Sequence, residues 1–380
     1  MSTGPLAGVR IADFSRVLAG PHATMLLADF GADVIKIESP EGDGTRQWSP
    51  PKNTLGQSTY FAGVNRGKRS VVLDLKNESD RARARELAIT ADVVVENFKP
   101  GTMGKFGLDY DTLQADNPQL VYCSISGFGD GLGASLPGYD LLVQAVGGLM
   151  SITGEADGEP SKVGVALVDI LTGLNAVIGI QAALRARETT GRGQLVKLSL
   201  LQSLLSALAN QAASTLETGD SPGRMGNAHP SIAPYETFQA KDQTLVLAVG
   251  TDGQFQRLSE LIGKPELASD PRFAHNSDRV AHRVELKELI EAALESHSAA
   301  HWVDECTKLN IPSGRVNTIS QAFELAEQLG LNAIAHTGEV TSVANPIHLS
   351  DTPATYTLPP PQLGEHQDAH WQERPQGSDE

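Results

Sequence analysis

The stretch that decides the fold is residues 9–37, which read VRIADFSRVLAGPHATMLLADFGADVIKI. Its first segment, Val9–Phe14, is a short apolar run rich in β-forming residues, and Asp33–Ile37 is a second run of the same kind. Between them, Ala23–Phe30 has the composition of a helix, which Gly31 is suited to end. A strand, a helix and another strand in this order predict a βαβ unit of a parallel sheet.

Further strand-like runs continue this alternation through the N-terminal half, at Val71–Leu75, Asp92–Phe98 and Leu120–Ile125. A helix follows the first of them, with Ser79 as its expected N-cap and an end near Thr90. Strands that alternate with helices form mostly parallel sheets covered by helices on both faces. The expected fold class is therefore α/β, with a Rossmann-like large domain built on a parallel sheet.

The composition changes near residues 219–234, where glycine, proline and asparagine predict turns. Two strand-like runs follow this linker, Tyr235–Gln239 and Thr244–Val249. Helical stretches come after them, at 252–262, 278–296 and 299–309. This part of the chain is expected to form a smaller α+β domain.

These elements divide the chain into three segments. Residues 1–218 form the first part of the large domain, 219–320 the linker and small domain, and 321–380 a C-terminal tail. The tail begins with one helix, Gln321–Leu329, and continues into a proline-rich segment in which a regular helix cannot form. Its end, Arg374–Glu380, is expected to be frayed.

Charge and cysteine content exclude several classes of function. The chain has 380 residues, with 30 Lys and Arg against 46 Asp and Glu and a formal net charge of −16. Broad binding to DNA or RNA requires clustered basic residues, so no nucleic-acid partner is expected. The two cysteines, Cys123 and Cys306, lie far apart, which predicts no disulfide framework and favours a reducing cytoplasm.

The sequence has no clear signal for export, membrane insertion, a nicotinamide cofactor or a metal. Asp13 and Arg16 interrupt the first apolar run, so no export signal is expected. The apolar segment 163–184 contains Asp169 and three glycines, which favours a core segment over a membrane span. The loose glycine motif Gly129–Ala134 lacks a following helix and does not indicate a nicotinamide cofactor. No spacing of ligands indicates a metal site.

Asp169 is the most informative carboxylate of the chain. It is the one charged residue between Lys162 and Arg185. The run Val163–Val168 resembles a buried strand, and Ile170–Arg187 resembles a helix. We therefore expect Asp169 at the carboxyl end of a strand, where ligands bind in open α/β sheets.

Two interpretations of Asp169 stay open from the residues alone. Asp is among the preferred helix N-caps, so the side chain can serve the helix. It can also be a nucleophile, because carboxylates form covalent acyl intermediates. Burial raises the pKa of a carboxyl, whereas a helix N-terminus and backbone N–H donors lower it and favour the anion. Whether Asp169 is ionised therefore depends on whether burial or these favourable interactions have the larger effect on its pKa.

Several segments in a fixed order carry a family resemblance. They are Ala12–Pro21, Gly31–Glu38, Lys68–Lys76, Val95–Gly101 and Thr190–Gln194. With these segments the chain resembles the class III (CaiB/BaiF) CoA-transferases, which include formyl-CoA transferase, the carnitine CoA-transferase and the α-methylacyl-CoA racemases. The resemblance covers nearly the whole chain. It implies an interlocked homodimer of two ring-like subunits, in which the C-terminal tail returns to the large domain.

The resemblance also implies site residues. The family's nucleophilic aspartate corresponds to Asp169, the carboxylate that the sequence pattern alone had already indicated. The residues implied to bind CoA are Val17, Leu18, Ser39, Leu73, Lys76, Asn97, Phe98, Lys105, Gly138 and Tyr139. Lys105 stands where an arginine is common, so it offers a point charge without the bidentate fork. Core packing of Val17, Leu18 and Phe98 and a solvated Lys105 are the alternatives to these roles.

The mechanism implied by the family uses no prosthetic group, only acyl-CoA and an acid as substrates. Asp169 attacks the donor thioester, giving an acyl-aspartyl anhydride, and CoA thiolate then converts this into an aspartyl-CoA thioester. The acceptor acid reverses the steps. Oxyanion donors are expected at the start of the Asp169 helix or in the loop Gly250–Gln254, which is shorter than the glycine run of formyl-CoA transferase.

Two other functions are alternatives to a CoA-transferase. A racemase needs an acid–base pair, and the position of its histidine is Tyr139 here, whose ordinary pKa of about 10 makes it a poor base at neutral pH. A non-catalytic acyl-CoA binding module has no need of Asp169. For the transferase, Arg46, Arg224 and His229 are candidates to meet a second substrate carboxylate, although the residues alone favour surface charges around a linker. The segment 226–236 resembles members that act on small dicarboxylates, so succinyl-CoA or a similar donor is expected.

Overall fold

The computed structural model describes residues 4–374, and six strands in this range form one parallel sheet. The strands are β1 (Arg10–Asp13), β2 (Asp33–Glu38), β3 (Lys68–Val72), β4 (Val93–Glu96), β5 (Val121–Ser126) and β6 (Leu195–Ser199). Their order across the sheet is β3-β2-β1-β4-β5-β6, and every neighbouring pair is parallel. The α/β class and the Rossmann-like parallel sheet are confirmed. The chain reverses its direction of growth between β1 and β4, which creates a topological switch point there.

Helices cover this sheet. Those of the first compact unit are α1 (Ala19–Asp29), α2 (Thr59–Ala62), α3 (Glu78–Ile89), α4 (Tyr110–Leu113), α5 (Asp140–Val146), α6 (Leu167–Thr190), α7 (Leu200–Ala207) and α8 (Ala209–Thr218). Val93 belongs to one buried apolar cluster with Ile180 of α6, and Val94 to another with Leu87 of α3. Successive residues of a strand point to opposite faces, so both faces of β4 are buried and its sequence is continuously apolar.

The long helix α6 is the central helix of one of these layers. Among the described residues it is the helix long and apolar enough to cross a membrane by length and composition. It packs on α1 at Gly173, where an added Cβ would lie 2.7 Å from the Ala19 carbonyl oxygen and 3.1 Å from His22 Nδ1. The missing side chain therefore allows close approach of the two helices. Ala176 and Ile180 of α6 are completely buried in the same layer.

A second compact unit comprises residues 150–162 and 222–329, and the first unit comprises the rest of the described chain. Its antiparallel sheet contains β7 (Tyr235–Gln239), β8 (Thr244–Ala248) and β9 (Ser313–Arg315). Its helices are α9 (Asp252–Leu261), α10 (Asn276–Ala281), α11 (Arg283–Leu294), α12 (Ala299–Lys308) and α13 (Ile319–Gln328). One apolar core lies between this sheet and these helices. Compared with the predicted domain over 219–320, the unit adds 150–162 and runs nine residues further, to 329.

The C-terminal segment adds a hairpin, β10 (Ile334–Thr337) with β11 (Val340–Val343), and then runs along the edge strand β3. The side chain of Gln367 accepts from the N–H of Val72 at 3.0 Å and donates to its carbonyl at 2.9 Å. The N–H of His366 donates to the Ser70 carbonyl at 2.9 Å. These bonds satisfy the open edge of the sheet.

The structure corrects several predicted elements. The strand predicted over Val163–Val168 is wrong, because this segment is irregular until α6 begins at Leu167. The sixth strand of the sheet is β6 instead, which the sequence interpretation missed. Asn77 and not Ser79 caps α3, since the Asn77 side chain accepts from the N–H of Ser79 at 2.9 Å.

Two further expectations concern the C-terminal half. The helix predicted over 278–296 is two helices, α10 and α11, which meet at His282. The frayed end predicted for Arg374–Glu380 lies outside the described residues apart from Arg374, whose guanidinium bonds the carboxylate of Asp92. The hairpin within 334–343 was not predicted.

Candidate active site

A cavity of about 350 Å³ opens at the carboxyl ends of β1, β4 and β5. Its walls are formed by residues 16–19 after β1, 97–100 after β4 and 125–127 at the end of β5, with 135–140 and Asp169 completing them. The strand order reverses between β1 and β4, so the cavity lies at the switch point where ligands of open α/β sheets bind.

The cavity brings together most of the residues that the sequence suggested. Seven of them line it: Val17, Leu18, Asn97, Phe98, Gly138, Tyr139 and Asp169. Four others lie outside it. Ser39 and Lys76 are exposed beyond the ends of β2 and β3, and Lys105 is exposed on a 3₁₀ turn over Met103–Phe106. Leu73 is 2% exposed and packs in the apolar layer beneath α3.

Asp169 is the third residue of α6, and its environment differs from that of a helix cap. The N-cap position is Ala166, and no side chain of its own caps the helix. Instead, Asp140 at the start of α5 accepts from the N–H of Val168 at 2.8 Å and of Asp169 at 3.2 Å. The amide of Gln144 donates to the other oxygen of Asp140 at 2.6 Å. The N-cap interpretation of Asp169 is therefore wrong, and its carboxyl lines the cavity.

The electrostatic environment of Asp169 is unusual for a carboxyl at a helix start. Burial, and then the negative charge of Asp140, raises the pKa of Asp169 to about 7. Burial thus outweighs the influence of the helix terminus, whose first N–H groups are bonded to Asp140. Both protonation states of Asp169 are populated near neutral pH. A carboxylate with such a pKa is more basic than usual, which suits a nucleophile.

Tyr60 is a neighbour of Asp169 that the sequence interpretation missed. Burial, followed by the charges of Asp169, Asp140 and Asp43, raises the pKa of Tyr60 to about 12. Its hydroxyl therefore stays protonated over the physiological range. The ring packs edge-on against Trp48, with centroids 4.9 Å apart. A protonated phenol near the carboxylate is a potential hydrogen-bond donor.

The loop after β1 is held against the loop after β4. The side chain of Asn97 accepts from the N–H of Arg16 at 2.8 Å and donates to its carbonyl at 2.7 Å. The guanidinium of Arg16 lies 4.5 Å from the centroid of the Phe98 ring. Both partners of this cation–π contact line the cavity, so Arg16 brings a positive charge to it.

Comparison with known proteins identifies the family. The model of CoA-transferase family III matches residues 6–367. The chain belongs to this family. It is 46% identical to the succinate–glutarate CoA-transferase of Agrobacterium fabrum, over 96% of this chain and 94% of that protein. It is 43% identical to the acetyl-CoA:oxalate CoA-transferase of Acetobacter aceti, over 91% of this chain and 90% of that protein.

Other relatives agree with this assignment. The succinyl-CoA:glutarate CoA-transferase of Mus musculus is 40% identical, over 96% of this chain and 85% of that protein. A crystal structure of a CaiB/BaiF family protein from Brucella suis superposes with a TM-score of 0.88 at 46% identity, covering 96% of this chain and 98% of that one. The predicted family and the predicted CoA-transferase class of enzyme are thus confirmed.

The expected oxyanion donors of this CoA-transferase are already paired. The N–H groups of Val168 and Asp169 are bonded to Asp140. In the loop Gly250–Gln254, the Gln254 side chain accepts from the N–H of Gly250 at 2.9 Å and of Thr251 at 3.1 Å. This loop forms the capping box of α9 in the second unit. Both sets of donors therefore have a structural role in the described conformation.

The cations suggested for a second substrate carboxylate also have partners. Arg46 bonds Glu38 through two nitrogens, at 2.9 and 2.6 Å, and lies 3.7 Å from the centroid of the Phe61 ring. Arg224 donates to the carbonyls of Glu155 and Gly158, at 3.1 and 2.6 Å. These contacts account for both arginines within the fold of the enzyme.

His229 was the third candidate to bind a substrate carboxylate. His229 Nδ1 accepts from the N–H of Ser231 at 3.1 Å, which stabilises the turn before β7. The described residues hold no group of three or more His, Cys, Asp or Glu side chains arranged to bind a metal ion.

The contribution of Asp140 to the acidity of Asp169 is testable. Replacing Asp140 by Asn removes a negative charge but keeps an oxygen that can accept from the helix N–H groups. The anion of Asp169 becomes easier to form, so the pKa of Asp169 falls below about 7. We expect the acidic limb of the pH–rate profile for acyl transfer to move to lower pH.

The matched control is Asp130→Asn, which removes an exposed carboxylate paired with Lys197. This control should leave the acidic limb in place. An unchanged limb in Asp140→Asn would show that the charge of Asp140 does not set the titration of Asp169.

Proposed function

We propose that Asp169 is the nucleophile with which this CoA-transferase moves CoA from an acyl-CoA to a small carboxylic acid. The observation that carries the proposal is its position in the switch-point cavity with a pKa raised to about 7. An ordinary surface carboxyl is more acidic and better solvated, hence a weaker nucleophile. Partial burial also keeps water from acyl intermediates that hydrolyse readily.

The proposed reaction proceeds in four steps and uses no prosthetic group. An oxygen of Asp169 attacks the thioester carbonyl, the C–S bond breaks, and an acyl-aspartyl anhydride and CoA thiolate form. The thiolate attacks the aspartyl carbonyl, and the donor acid leaves as its carboxylate, which gives an aspartyl-CoA thioester. The acceptor carboxylate then attacks this thioester and releases the thiolate again. Attack of the thiolate on the acceptor's carbonyl completes the new acyl-CoA and regenerates Asp169.

Neighbouring groups support these steps. Asp140 fixes the backbone of Asp169 through two hydrogen bonds from the start of α6. Tyr60, which stays protonated, is our candidate for a donor to the oxyanion of the tetrahedral intermediates. Its hydroxyl offers a donor that the paired backbone N–H groups do not.

CoA is proposed to lie along the carboxyl edge of the sheet. The thioester end contacts the cavity residues Val17, Leu18, Asn97, Phe98, Gly138 and Tyr139. A cavity of about 350 Å³ holds only part of an acyl-CoA. The rest is proposed to extend over Ser39 and Lys76, which follow β2 and β3 at the same edge, whereas Leu73 is buried and supports this edge from within the fold. Lys76 and Lys105 are exposed and suit the phosphates.

The names of the relatives guide the choice of acid. Proteins 46 and 43% identical to this chain are named for succinate, glutarate and oxalate. We propose a dicarboxylic acceptor and a succinyl-CoA-like donor. Arg16 is our candidate for the second carboxylate, because its guanidinium lines the cavity and has no carboxylate partner among the described residues.

The two alternative functions have less support. In the position of a racemase histidine stands Tyr139, which lines the cavity but is a poor base. If the protein only bound acyl-CoA, the raised pKa of Asp169 would have no functional explanation. The relatives from Agrobacterium fabrum, Acetobacter aceti and Mus musculus cited above are named as CoA-transferases.

The cytoplasm is the proposed location of the enzyme. Both cysteines, Cys123 and Cys306, are free and buried. Their state is consistent with a reducing compartment, in which structural disulfides are rare.

The nucleophile is tested by Asp169→Asn together with chemical trapping. We expect the variant to lose label exchange between an acid and its CoA ester by at least about a thousandfold, because the amide cannot form the anhydride. Hydroxylamine added during turnover should convert residue 169 of the wild-type enzyme into a hydroxamate, which peptide mass spectrometry detects. Asp130→Asn is the matched control and should exchange normally. Turnover at the wild-type rate by Asp169→Asn would contradict the proposed mechanism.

Substrate class is tested by a panel of acids assayed with succinyl-CoA. We expect dicarboxylates of two to five carbons to give the highest kcat/KM. Arg16→Gln should raise the KM for diacids by about tenfold, the effect of losing one charge-assisted hydrogen bond, and that for monoacids much less. The exposed Arg185, replaced by Gln, is the control. A strict preference for large aromatic or steroid acids would contradict the proposed class.

A homodimer is proposed from exposed apolar side chains on three helices of the first unit. Leu174 and Ile178 of α6 are 40 and 66% exposed, and Leu205 of α7 and Leu216 of α8 are 47 and 86% exposed. The helix α8 buries no residue in the single chain. Exposed apolar side chains of this size suit an interface, and the interlocked homodimer implied by the family makes a second copy the proposed occupant.

Charge substitutions on this surface test the dimer. The double variant Ile178→Glu, Leu216→Glu should sediment mainly as a monomer, because burying two carboxylates in an apolar interface is unfavourable. The control is Val284→Glu on α11, a residue equally exposed at 70% but outside these helices. A wild-type enzyme that is monomeric at micromolar concentration would refute the proposal.

A further inference from the structure

The turn that forms one wall of the cavity is conformationally strained. Val17 has a φ of +68°, in the left-handed region. Valine rarely adopts this conformation, because its branched Cβ crowds the backbone there. Such a residue persists only where its surroundings hold it. Val17 lines the cavity, so its conformation shapes the surface that meets the ligand.

Buried side chains hold the backbone just before Val17 and at Val17 itself. The N–H of Ser15 donates to Asp13 at 2.9 Å, and its carbonyl accepts from Lys36 Nζ at 2.8 Å. The N–H of Val17 itself donates to the two carboxylate oxygens of Asp43, at 3.3 and 3.1 Å. The carboxylate of Asp43 is thus the direct partner of the strained residue.

Asp43 is a buried anion that does not line the cavity. It is 1% exposed and bonds Lys36 Nζ at 3.1 Å. It also accepts from the N–H and the hydroxyl of Thr45, at 3.0 and 2.8 Å. Burial alone would raise the pKa of Asp43, but Lys36 and the Thr45 hydrogen bonds hold it below its ordinary value. The group is therefore an anion with fixed geometry at neutral pH.

Buried ion pairs of this kind are weak contributors to stability. Asp13, Lys36 and Lys68 are all completely buried around the same turn. Charged groups in such a place often stabilise a fold less than apolar residues of the same volume would. Their arrangement needs a further reason, and the strained turn above them provides one.

We propose that Asp43 is a positioning residue for acyl-CoA, which acts by holding Val17 in its left-handed conformation. The inference rests on the proposed contact between the thioester end of acyl-CoA and the Val17 turn. Asp43 touches no substrate in this scheme. Its effect on the KM for acyl-CoA reaches the ligand through the shape of the turn.

The first experiment is Asp43→Asn, assayed with varied acyl-CoA and varied acid. The amide is a weaker acceptor and loses the ion pair with Lys36, so the turn relaxes. We expect the KM for acyl-CoA to rise by about tenfold, with kcat and the KM for the acid changed less than about twofold. A split of this kind is not expected from a loss of stability.

The second experiment repeats the substitution in a Val17→Gly background. Glycine adopts a positive φ without strain and has no need of the Asp43 carboxylate. We expect Asp43→Asn to change the KM for acyl-CoA by less than about twofold in this background. The matched control is Asp29→Asn, which breaks another buried pair, with Arg66, away from the turn. It should lower Tm and leave the KM for acyl-CoA unchanged.

The outcomes separate this inference from the proposed binding site. An equal effect of Asp43→Asn in both backgrounds, or a uniform loss that parallels Asp29→Asn, overturns the positioning role. If Val17→Gly alters the KM for acyl-CoA but Asp43→Asn does not, the positioning role alone fails. If neither substitution alters it, the proposed CoA contact at Val17 fails as well.

A milder variant keeps the test available if Asp43→Asn does not fold. Thr45→Val removes one hydrogen bond to Asp43 at 2.8 Å and retains the buried volume and the charge. It should raise the KM for acyl-CoA in the same direction by about threefold. No change in a folded Thr45→Val enzyme overturns the positioning role.

Discussion

The bond between Asp140 and the start of α6 is the interaction on which the site depends. One carboxylate accepts from the N–H groups of Val168 and Asp169 and so joins α5 to α6. It occupies the donors that would otherwise stabilise the Asp169 anion, and it adds a negative charge beside it. Burial is the larger cause of the raised pKa of Asp169, and these two effects of Asp140 add to it. A helix cap supplied from another helix therefore contributes to the chemistry of the residue as well as fixing its place.

The sheet provides the frame for this interaction. Parallel strands bring their carboxyl ends to one edge, and the reversal of strand order between β1 and β4 leaves a gap there. The loops after β1 and β4 close on each other through Asn97 and Arg16. The wall of the cavity thus includes backbone that side chains hold in place.

The sequence allowed five of the six strands of the parallel sheet to be predicted and singled out Asp169, for identifiable reasons. Strands buried on both faces are continuous apolar runs, and helices between them have recognisable ends. Asp169 stood out because an apolar run surrounds it. The error at Val163–Val168 has the same origin, since a short apolar run does not distinguish a strand from an irregular buried segment. The true sixth strand, Leu195–Ser199, is only partly buried.

Other parts of the site were beyond prediction because their partners are distant in the sequence. Asp140 lies 28 residues before Val168, and Asp43 lies 26 residues after Val17. No local pattern indicates such pairs, and the raised pKa of Tyr60 likewise depends on three carboxylates from separate segments. Arg46 shows the reverse case, in which a plausible ligand-binding residue is engaged by Glu38. Local signals reveal elements, whereas charge pairing is a property of the folded chain.

The covering of β3 by Gln367 has a consequence for biosynthesis. The bond between Gln367 and Val72 spans 295 residues of sequence. While the ribosome is still translating the intervening chain, the nascent sheet has an unprotected edge that can recruit strands from other polypeptides. A sheet edge that is covered by a segment made so much later in translation is expected to need chaperone protection until that segment emerges.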